Sequence, residues 1–168
     1  MDAASEQSYG DFVMARRAAL VREAYLLVGD AHLAEDLVQT ALAKTYVAWH
    51  RVSTSRAPEA YVRRILINAN ISQHRRRRVA EVLTGTLPEA ASEPVQPLLH
   101  SAEVIEALMS LPPRQRAAIV LRYWDDLPES EIAELMGCSI GSVRTHTSRA
   151  MAKLRVHPGL LQLTAQER

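Results

Sequence analysis

The chain has 168 residues, of which 48% are hydrophobic and 23% charged, and its formal net charge is +1. This composition is that of a folded protein with one domain or two small ones, and it excludes a low-complexity chain. The single cysteine, Cys138, excludes an internal disulfide, and there is no apolar run of about eighteen residues that could span a membrane. We therefore expect a cytoplasmic protein with no metal site and no cofactor. Sparse glycine among abundant alanine, leucine, arginine and glutamate favours an all-α fold.

The first half of the chain predicts one helical domain over residues 9–78, after a disordered N-terminus over 1–8. Its three helices are expected at about 9–28, 30–49 and 58–78, with a polar loop over 50–57. Gly29 suits the end of the first helix, Asp30 suits the N-cap of the second, and Pro58 suits the first turn of the third.

Residues 79–100 predict an irregular linker, because the stretch to Pro97 holds three prolines and three glutamates but no lysine or arginine. A second small helical domain is expected over 101–157, followed by a loose tail over 158–168. Its first two helices are predicted near 103–109 and 114–124. Two small domains on a tether suit a protein that binds two separated sites.

The clearest motif is a helix-turn-helix over residues 127–155. Its first helix has an apolar side formed by Ile132, Ala133, Leu135 and Met136. Gly137 suits a left-handed helix end and Ser139 an N-cap. The second helix, roughly 140–155, carries basic residues and no acidic one. A basic helix after a tight turn is typical of side chains placed in a DNA major groove, although an ordinary helical hairpin with a solvated basic face is the alternative.

A second basic surface is predicted at the end of the third helix, where four consecutive arginines follow His74. Residues 11–78 hold twelve lysines and arginines against six acids, whereas residues 101–157 hold seven of each. Arginine clusters neutralise phosphates, although they can also serve as a solubilising helix end. Asn68 and the polar loop could hold an unstacked base. On the second helix, Asp36 and Gln39 form an outward ridge that is either solvated or binds a protein.

The order and spacing of these segments resemble the extracytoplasmic-function (ECF) sigma factors of the sigma-70 family, most closely the short actinobacterial SigE-type group. The segments that carry the resemblance are residues 34–39, 60–65 with Asn68 and the arginine run, 111–116, 121–124 and the helix-turn-helix. The resemblance implies a non-enzymatic subunit that confers promoter specificity on RNA polymerase. It identifies the first domain with sigma region 2, the second with region 4, and the linker with the segment that threads toward the active-site cleft.

The resemblance also implies site residues and partners. Region 2 would dock on the beta-prime clamp helices of core polymerase through Glu35, Asp36 and Gln39. It would capture the melted −10 element on the non-template strand through Arg51, Ser53, Thr54, Ser55, Arg56, Arg63, Arg64, Asn68, Ser72, Arg75 and Arg76. Region 4 would contact the beta flap and read the −35 duplex through Ser142, Arg144, Thr145, Ser148 and Arg149. An anti-sigma factor is a further plausible partner.

Two residues depart from the family pattern and leave the promoter sequence open. Ser72 stands where many members have aspartate, and His146 replaces a more common basic or polar residue. The alternative function is a LuxR-type helix-turn-helix regulator, which residues 142–146 and 151–154 also resemble. The first half argues against it, because a receiver or ligand-binding domain would show alternating strands. A phosphoryl-transfer or hydrolytic enzyme finds no support, since the chain has no glycine-rich phosphate loop.

Overall fold

The structure is a computed structural model that describes residues 2–55, 58–85 and 102–161, and this part of the chain folds into helices and turns without a strand. The predicted all-α fold is therefore confirmed. The helices are α1 (Ala3–Val28), α2 (Ala31–Val52), α3 (Pro58–Thr84), α4 (Ala102–Met109), α5 (Pro113–Ile119), a π-helical turn (Val120–Trp124), α6 (Glu129–Met136) and α7 (Ile140–Arg155).

The predicted helix ends at the two glycine turns are confirmed. Gly29 and Gly137 both have left-handed backbone, with φ of 70° and 62°. The Asp30 carboxylate accepts a hydrogen bond from the Leu33 amide at 2.8 Å, and the Ser139 hydroxyl accepts one from the Ser142 amide at 3.1 Å. Each cap satisfies an amide that the first helical turn leaves unpaired, so both turns are fixed by local side-chain chemistry.

The prediction of a disordered segment over residues 1–8 is wrong for the residues described. Helix α1 begins at Ala3, capped by the Asp2 carboxylate, which accepts from the Ser5 amide at 2.8 Å. The Tyr9 hydroxyl donates to the Leu42 carbonyl at 2.8 Å, and its ring packs edge-on against Trp49 with the centroids 5.3 Å apart. These contacts hold the start of α1 against the end of α2.

Three other boundaries lie outside their predicted positions. Helix α2 continues to Val52 because Trp49 and Val52 are both 3% exposed and extend its buried face. Helix α3 continues six residues past the predicted end at Arg78, because no helix-breaking residue occurs before Gly85. The start of the predicted linker is thus helical, and 86–100 lies outside the described residues. Residues 158–161 form a helical turn, and the remaining tail, 162–168, is also outside them.

The two halves of the chain share a hydrophobic core. Helices α1, α2 and α3 enclose one cluster around Leu20, Val38 and Leu66. A second cluster joins Leu26, Leu27 and Ile67 of the first half to the buried residues of α4 to α7. The sequence predicts two bodies acting at a distance, whereas this structure packs them together, because these three side chains lie on faces of α1 and α3 that α2 does not cover. Of the helices described, none has the length and apolar character to cross a membrane.

Candidate nucleic-acid interface

Helix α7 presents a basic, solvent-facing side. Val143 and Ala150 are fully buried against the preceding helices, which turns the intervening positions outward. The five residues predicted to read duplex DNA lie on this helix, and all are exposed except Ser142, which is half-buried: Ser142, Arg144, Thr145, Ser148 and Arg149. The five residues are therefore accessible on one helix, and their role in reading DNA stays a prediction.

Three of those five side chains already have partners. The Arg144 Nε donates to a Glu129 carboxylate oxygen at 2.8 Å. The Thr145 hydroxyl donates to the Gly141 carbonyl at 3.0 Å, and the Ser142 hydroxyl lies 2.9 Å from that of Ser139. The Thr145 and Ser142 contacts are local to α7 and its cap, whereas the Arg144 ion pair ties α7 to the start of α6.

A groove between α2 and α3 brings together residues that the sequence assigns to different roles. It has a volume of about 530 Å³, and its walls carry Asp36 from the polar ridge with Asn68, Ser72 and Arg76 from the arginine-rich helix. Lys44 lines the same groove and was missed by the sequence analysis. The only signal for it is that Lys44 is the single lysine of α2. Polymerase docking and DNA capture would thus share one pair of helices.

A second cleft lies where α2 ends and α3 begins. It has a volume of about 610 Å³ and is lined by Lys44, Val47, His50, Arg51 and Tyr61, among others. The Tyr61 side chain is half-buried and forms part of this cleft. An aromatic ring beside basic groups, with Val47 87% exposed at the rim, is a combination that suits a nucleobase.

The polar loop beside this cleft is held by its own backbone. The Thr54 hydroxyl donates to the Arg51 carbonyl at 3.1 Å, and the Ser55 hydroxyl donates to the Val52 carbonyl at 2.6 Å. Ser53 is exposed at the end of α2. Arg56, which completes the predicted set in this loop, lies outside the described residues. The loop is therefore shaped by α2 itself as far as Ser55.

Arg63 does not lie on the surface that the sequence predicted for it. Its side chain is 18% exposed, and its guanidinium contacts three carboxylates: Glu23 at 3.1 Å, Glu59 at 3.0 Å and Asp125 at 3.2 Å. Carboxylates thus occupy the Arg63 guanidinium in this arrangement, and its contact with the −10 strand stays a prediction. Val62, Leu66 and Ile67 are fully buried and turn Arg63 inward, whereas Arg64, Arg75 and Arg76 are exposed, as Asn68 is.

The carboxylates around Arg63 are strongly perturbed. Burial, with the nearby Asp125 carboxylate, raises the pKa of Glu23 to about 7. Burial likewise raises the pKa of Asp125 to about 6. Burial disfavours the charged form of these carboxylates, and the two cations present, Arg63 and Arg16 on Glu59, do not match three acids, so the cluster holds protons more tightly than free carboxylates would. The sequence signal was Glu23, an acid at the same helical spacing as the buried Leu20 and Leu27.

The predicted polymerase-binding ridge on α2 is exposed at two of its three positions. Asp36 and Gln39 are exposed and lie one turn apart. Glu35 is half-buried and forms an ion pair with Arg17 of α1. The ridge is thus an accessible polar strip beside the α2–α3 groove.

An apolar groove with a basic rim lies between the end of α3, the start of α5 and α7. Its volume is about 640 Å³, and its apolar lining includes Ile71 together with the exposed side chains of Val79, Val82 and Leu83. The described residues that line it include no acid; its rim is formed by His74, Arg75, Arg78, Arg114, His146 and Arg149. Burial, with the neighbouring Arg114 and Arg149, lowers the pKa of His146. Nothing in the sequence indicated that Arg75 and Arg149 share a groove.

Within the described ranges, no group of three histidine, cysteine or acidic side chains is arranged to hold a metal ion. The geometry instead defines an all-helical DNA-binding protein with two basic surfaces. One surface is a helix-turn-helix of the kind that reads duplex DNA, and the other is an arginine-rich helix next to a cleft lined by an aromatic ring and basic side chains.

Comparison with known proteins identifies the family. The Sigma-70 region 2 family model matches residues 12–79, and the Sigma-70, region 4 model matches residues 101–154. The RNA polymerase sigma-E factor of Streptomyces coelicolor is 38% identical over 148 residues, which cover 88% of this chain and 84% of that protein. The ECF RNA polymerase sigma factor SigW of Bacillus subtilis is 29% identical, with 89% and 88% covered. The chain belongs to the ECF sigma factors of the sigma-70 family.

Solved structures agree with this assignment. The sigma factor RpoE of Bartonella quintana, in complex with the anti-sigma factor NepR, superimposes with a TM-score of 0.74 at 28% identity, and the match covers 89% of this chain and 95% of that one. CnrH, in complex with the cytosolic domain of CnrY, shares the fold with a TM-score of 0.62 at 23% identity. The predicted resemblance is confirmed, and the LuxR-type alternative is not favoured because the region 2 match accounts for the first half.

Proposed function

We propose that this chain, as a sigma factor, docks on core RNA polymerase through α2, captures the melted −10 element around α3 and reads the −35 duplex with α7. Sigma factors are non-enzymatic initiation factors. The proposal includes a cytoplasmic location, because its two partners, core RNA polymerase and promoter DNA, are in the bacterial cytoplasm. The observation that carries the proposal is the pairing of two chemically different basic surfaces on one chain. A protein that binds only double-stranded DNA would need the helix-turn-helix and no second basic surface.

The cleft beside Tyr61 supports capture of an unstacked base. Extracting a base from a duplex costs a few kcal/mol, and stacking on an aromatic ring returns about 1–3 kcal/mol per base. Arg51 and Lys44 line the same cleft and could neutralise the adjoining phosphates. We therefore add Tyr61 and Lys44 to the proposed −10 surface of Arg51, Ser53, Thr54, Ser55, Arg56, Arg64, Asn68, Ser72, Arg75 and Arg76, and remove Arg63 from it.

Helix α7 is proposed to enter the major groove with Arg144 and Arg149 toward base edges. Arg144 must first leave Glu129, and an exposed ion pair of this kind contributes about 0–1 kcal/mol. A bidentate arginine–guanine contact discriminates by about 1–3 kcal/mol. Replacing the Arg144–Glu129 ion pair with a guanine contact is therefore favourable. The ion pair orients Arg144 before DNA binds and is weak enough to be broken.

The apolar groove with the basic rim supports an anti-sigma factor as a further partner of this chain. Its apolar lining and its arginines and histidines fit an amphipathic helix with an apolar stripe and acidic flanks. Such a helix would cover Arg75 and Arg149 together. It would therefore block the proposed −10 and −35 surfaces at the same time.

The decisive experiment is gel filtration of the chain with the core RNA polymerase of Streptomyces coelicolor, followed by run-off transcription on a pool of genomic promoters. Co-elution and transcripts from a common two-part promoter are expected, and two separate peaks at low salt would refute the proposal. Asp36→Lys should reduce core binding at least tenfold, because it reverses a charge on the docking ridge. Glu106→Lys, the same change at an exposed position of α4, is the matched control and should bind like wild type.

A further inference from the structure

Glu129 lies between two arginines of the second half of the chain. It is the first residue of α6, and its Oε2 accepts the hydrogen bond from the Arg144 Nε at 2.8 Å. Its Oε1 lies 3.8 Å from the Nη1 of Arg122, which belongs to the π-helical turn. Among the residues that the structure describes, neither arginine forms an ion pair with any other acid. The two guanidiniums thus share one carboxylate, with one oxygen facing each.

The two contacts of Glu129 differ in kind. The Arg144 contact is a charge-assisted hydrogen bond, whereas the Arg122 distance is too long for a hydrogen bond and leaves only charge attraction. Arg144 is exposed on the side of α7 that is proposed to read DNA, and Arg122 is half-buried on a different element. Arg122 is therefore a second cation within reach of the carboxylate that makes no hydrogen bond to it while Arg144 is in place.

Turning Arg144 to a base would leave Glu129 without its hydrogen-bonded partner. The carboxylate would then face the DNA phosphates from the edge of the reading surface, and like charges repel. Glu129 is not free to move away, because its backbone begins α6 and its charge is favourable at the N-terminus of that helix. Binding of Arg144 to DNA is therefore easier if another cation takes its place at the carboxylate.

We propose that Arg122 is a positioning residue for −35 recognition, which takes over the Glu129 carboxylate when Arg144 turns to the DNA. The proposal rests on the proposed function, since it concerns the release of an arginine assigned to the −35 duplex. Shortening the Arg122 contact from 3.8 Å to about 2.8 Å would make it a charge-assisted hydrogen bond. The exchange also gives a role to residues 121–124, which contribute to the family resemblance but take no part in the proposed DNA contacts.

Two other roles for Arg122 predict different measurements. If Arg122 bound a phosphate itself, its removal would lower the slope of log affinity against log salt concentration by about 0.9, because one fewer phosphate would be neutralised. If Arg122 only stabilised the fold, its removal would lower the urea midpoint of the free chain. An exchange of partners within the protein changes neither quantity, and it depends on the presence of the Glu129 carboxylate.

The test is the binding of holoenzyme, formed with the core RNA polymerase of Streptomyces coelicolor, to a fluorescein-labelled promoter fragment recovered from the run-off experiment. Arg122→Gln should weaken binding about threefold to fivefold, which is the range of an exposed ion pair, with an unchanged salt slope. In the Glu129→Gln background, the same change should weaken binding less than about twofold, because no carboxylate is left to be taken over. Arg155→Gln, at the exposed end of α7, is the matched control and should have the same effect in both backgrounds.

The outcomes that contradict the proposal are distinct from a failure of the proposed function. An equal loss from Arg122→Gln in both backgrounds would overturn the proposal, and a slope lowered by about 0.9 would then identify a phosphate contact. No loss in either background would overturn it as well, as would a urea midpoint about 1 M or more below that of the wild type. If the wild-type holoenzyme does not prefer the promoter fragment to an unrelated duplex, the proposed function fails before Arg122 is tested.

Discussion

Replacing Arg116 with methionine should strongly destabilise the protein, because its guanidinium satisfies buried carbonyls of Leu27, Leu108 and Leu111. Three hydrogen bonds from a charged donor contribute about 1.5–3 kcal/mol each. Against this, burial lowers the pKa of Arg116 to about 10, and at about 1.4 kcal/mol per pKa unit the desolvation costs roughly 3 kcal/mol. The difference predicts a loss of about 4 kcal/mol in the free energy of unfolding for Arg116→Met.

Urea unfolding followed by circular dichroism measures this loss. With an m-value of about 2 kcal/mol per M, the midpoint should fall by about 2 M. Arg114→Met is the matched control, because Arg114 is exposed on the same helix two residues earlier and should change stability by less than about 0.5 kcal/mol. Equal shifts for the two variants would refute the reasoning, since the carbonyl contacts of Arg116 would then contribute nothing.

The remaining predictions concern DNA and pH. Arg149→Ala should weaken binding to the −35 duplex by about 1–3 kcal/mol in fluorescence anisotropy. Arg155→Ala, at the exposed end of α7, should weaken binding to −35 and unrelated duplexes equally. If the two variants lose the same preference for the −35 sequence, the face assigned to base reading is wrong. Tyr61→Ala should slow promoter melting in a 2-aminopurine assay, whereas Tyr61→Phe should not. If the wild type and both variants melt the promoter at the same rate, Tyr61 does not hold the unstacked base. Because the pKa values of Glu23 and Asp125 are raised in the folded protein, to about 7 and about 6, the folded state binds more protons than the unfolded state between about pH 4 and 7. Stability should therefore fall as the pH rises through that window, and Glu23→Gln should flatten the profile; an unchanged slope of urea midpoint against pH would contradict this.

The helix-turn-helix and the turn after α1 could be predicted because their determinants are local. Gly29 and Gly137 adopt left-handed backbone, and the Asp30 and Ser139 caps each act on an amide three residues away. All the residues that determine such a helix end lie within one helical turn of each other in the sequence. The ends of α2 and α3 were placed less well, because they depend on burial of Trp49 and on the absence of a breaker before Gly85.

The different environments of Arg63 and Arg64 could not be predicted from the sequence. Both follow Val62 on one helix, and the charge pattern treats them alike. Only the rotation of α3 in the assembled core separates them. Two of the carboxylates that surround Arg63 come from Glu23, 40 residues earlier, and Asp125, 62 residues later. Contacts between positions so far apart leave no periodic signal in a single sequence.

Counting positive charges therefore overstates the surface that is available to DNA. In each of two arginine pairs, one member lies between the halves and the other is exposed: Arg63 is half-buried beside the exposed Arg64, and Arg116 is buried near the exposed Arg114. The less exposed members link the two halves, and the exposed members remain for a polyanion. Because Arg63 also pairs with Glu23 and Glu59 of its own half, its guanidinium is occupied by carboxylates and adds little to the surface for phosphate. The same residue type thus has two roles in one chain: it links the two halves, and it presents positive charge to DNA.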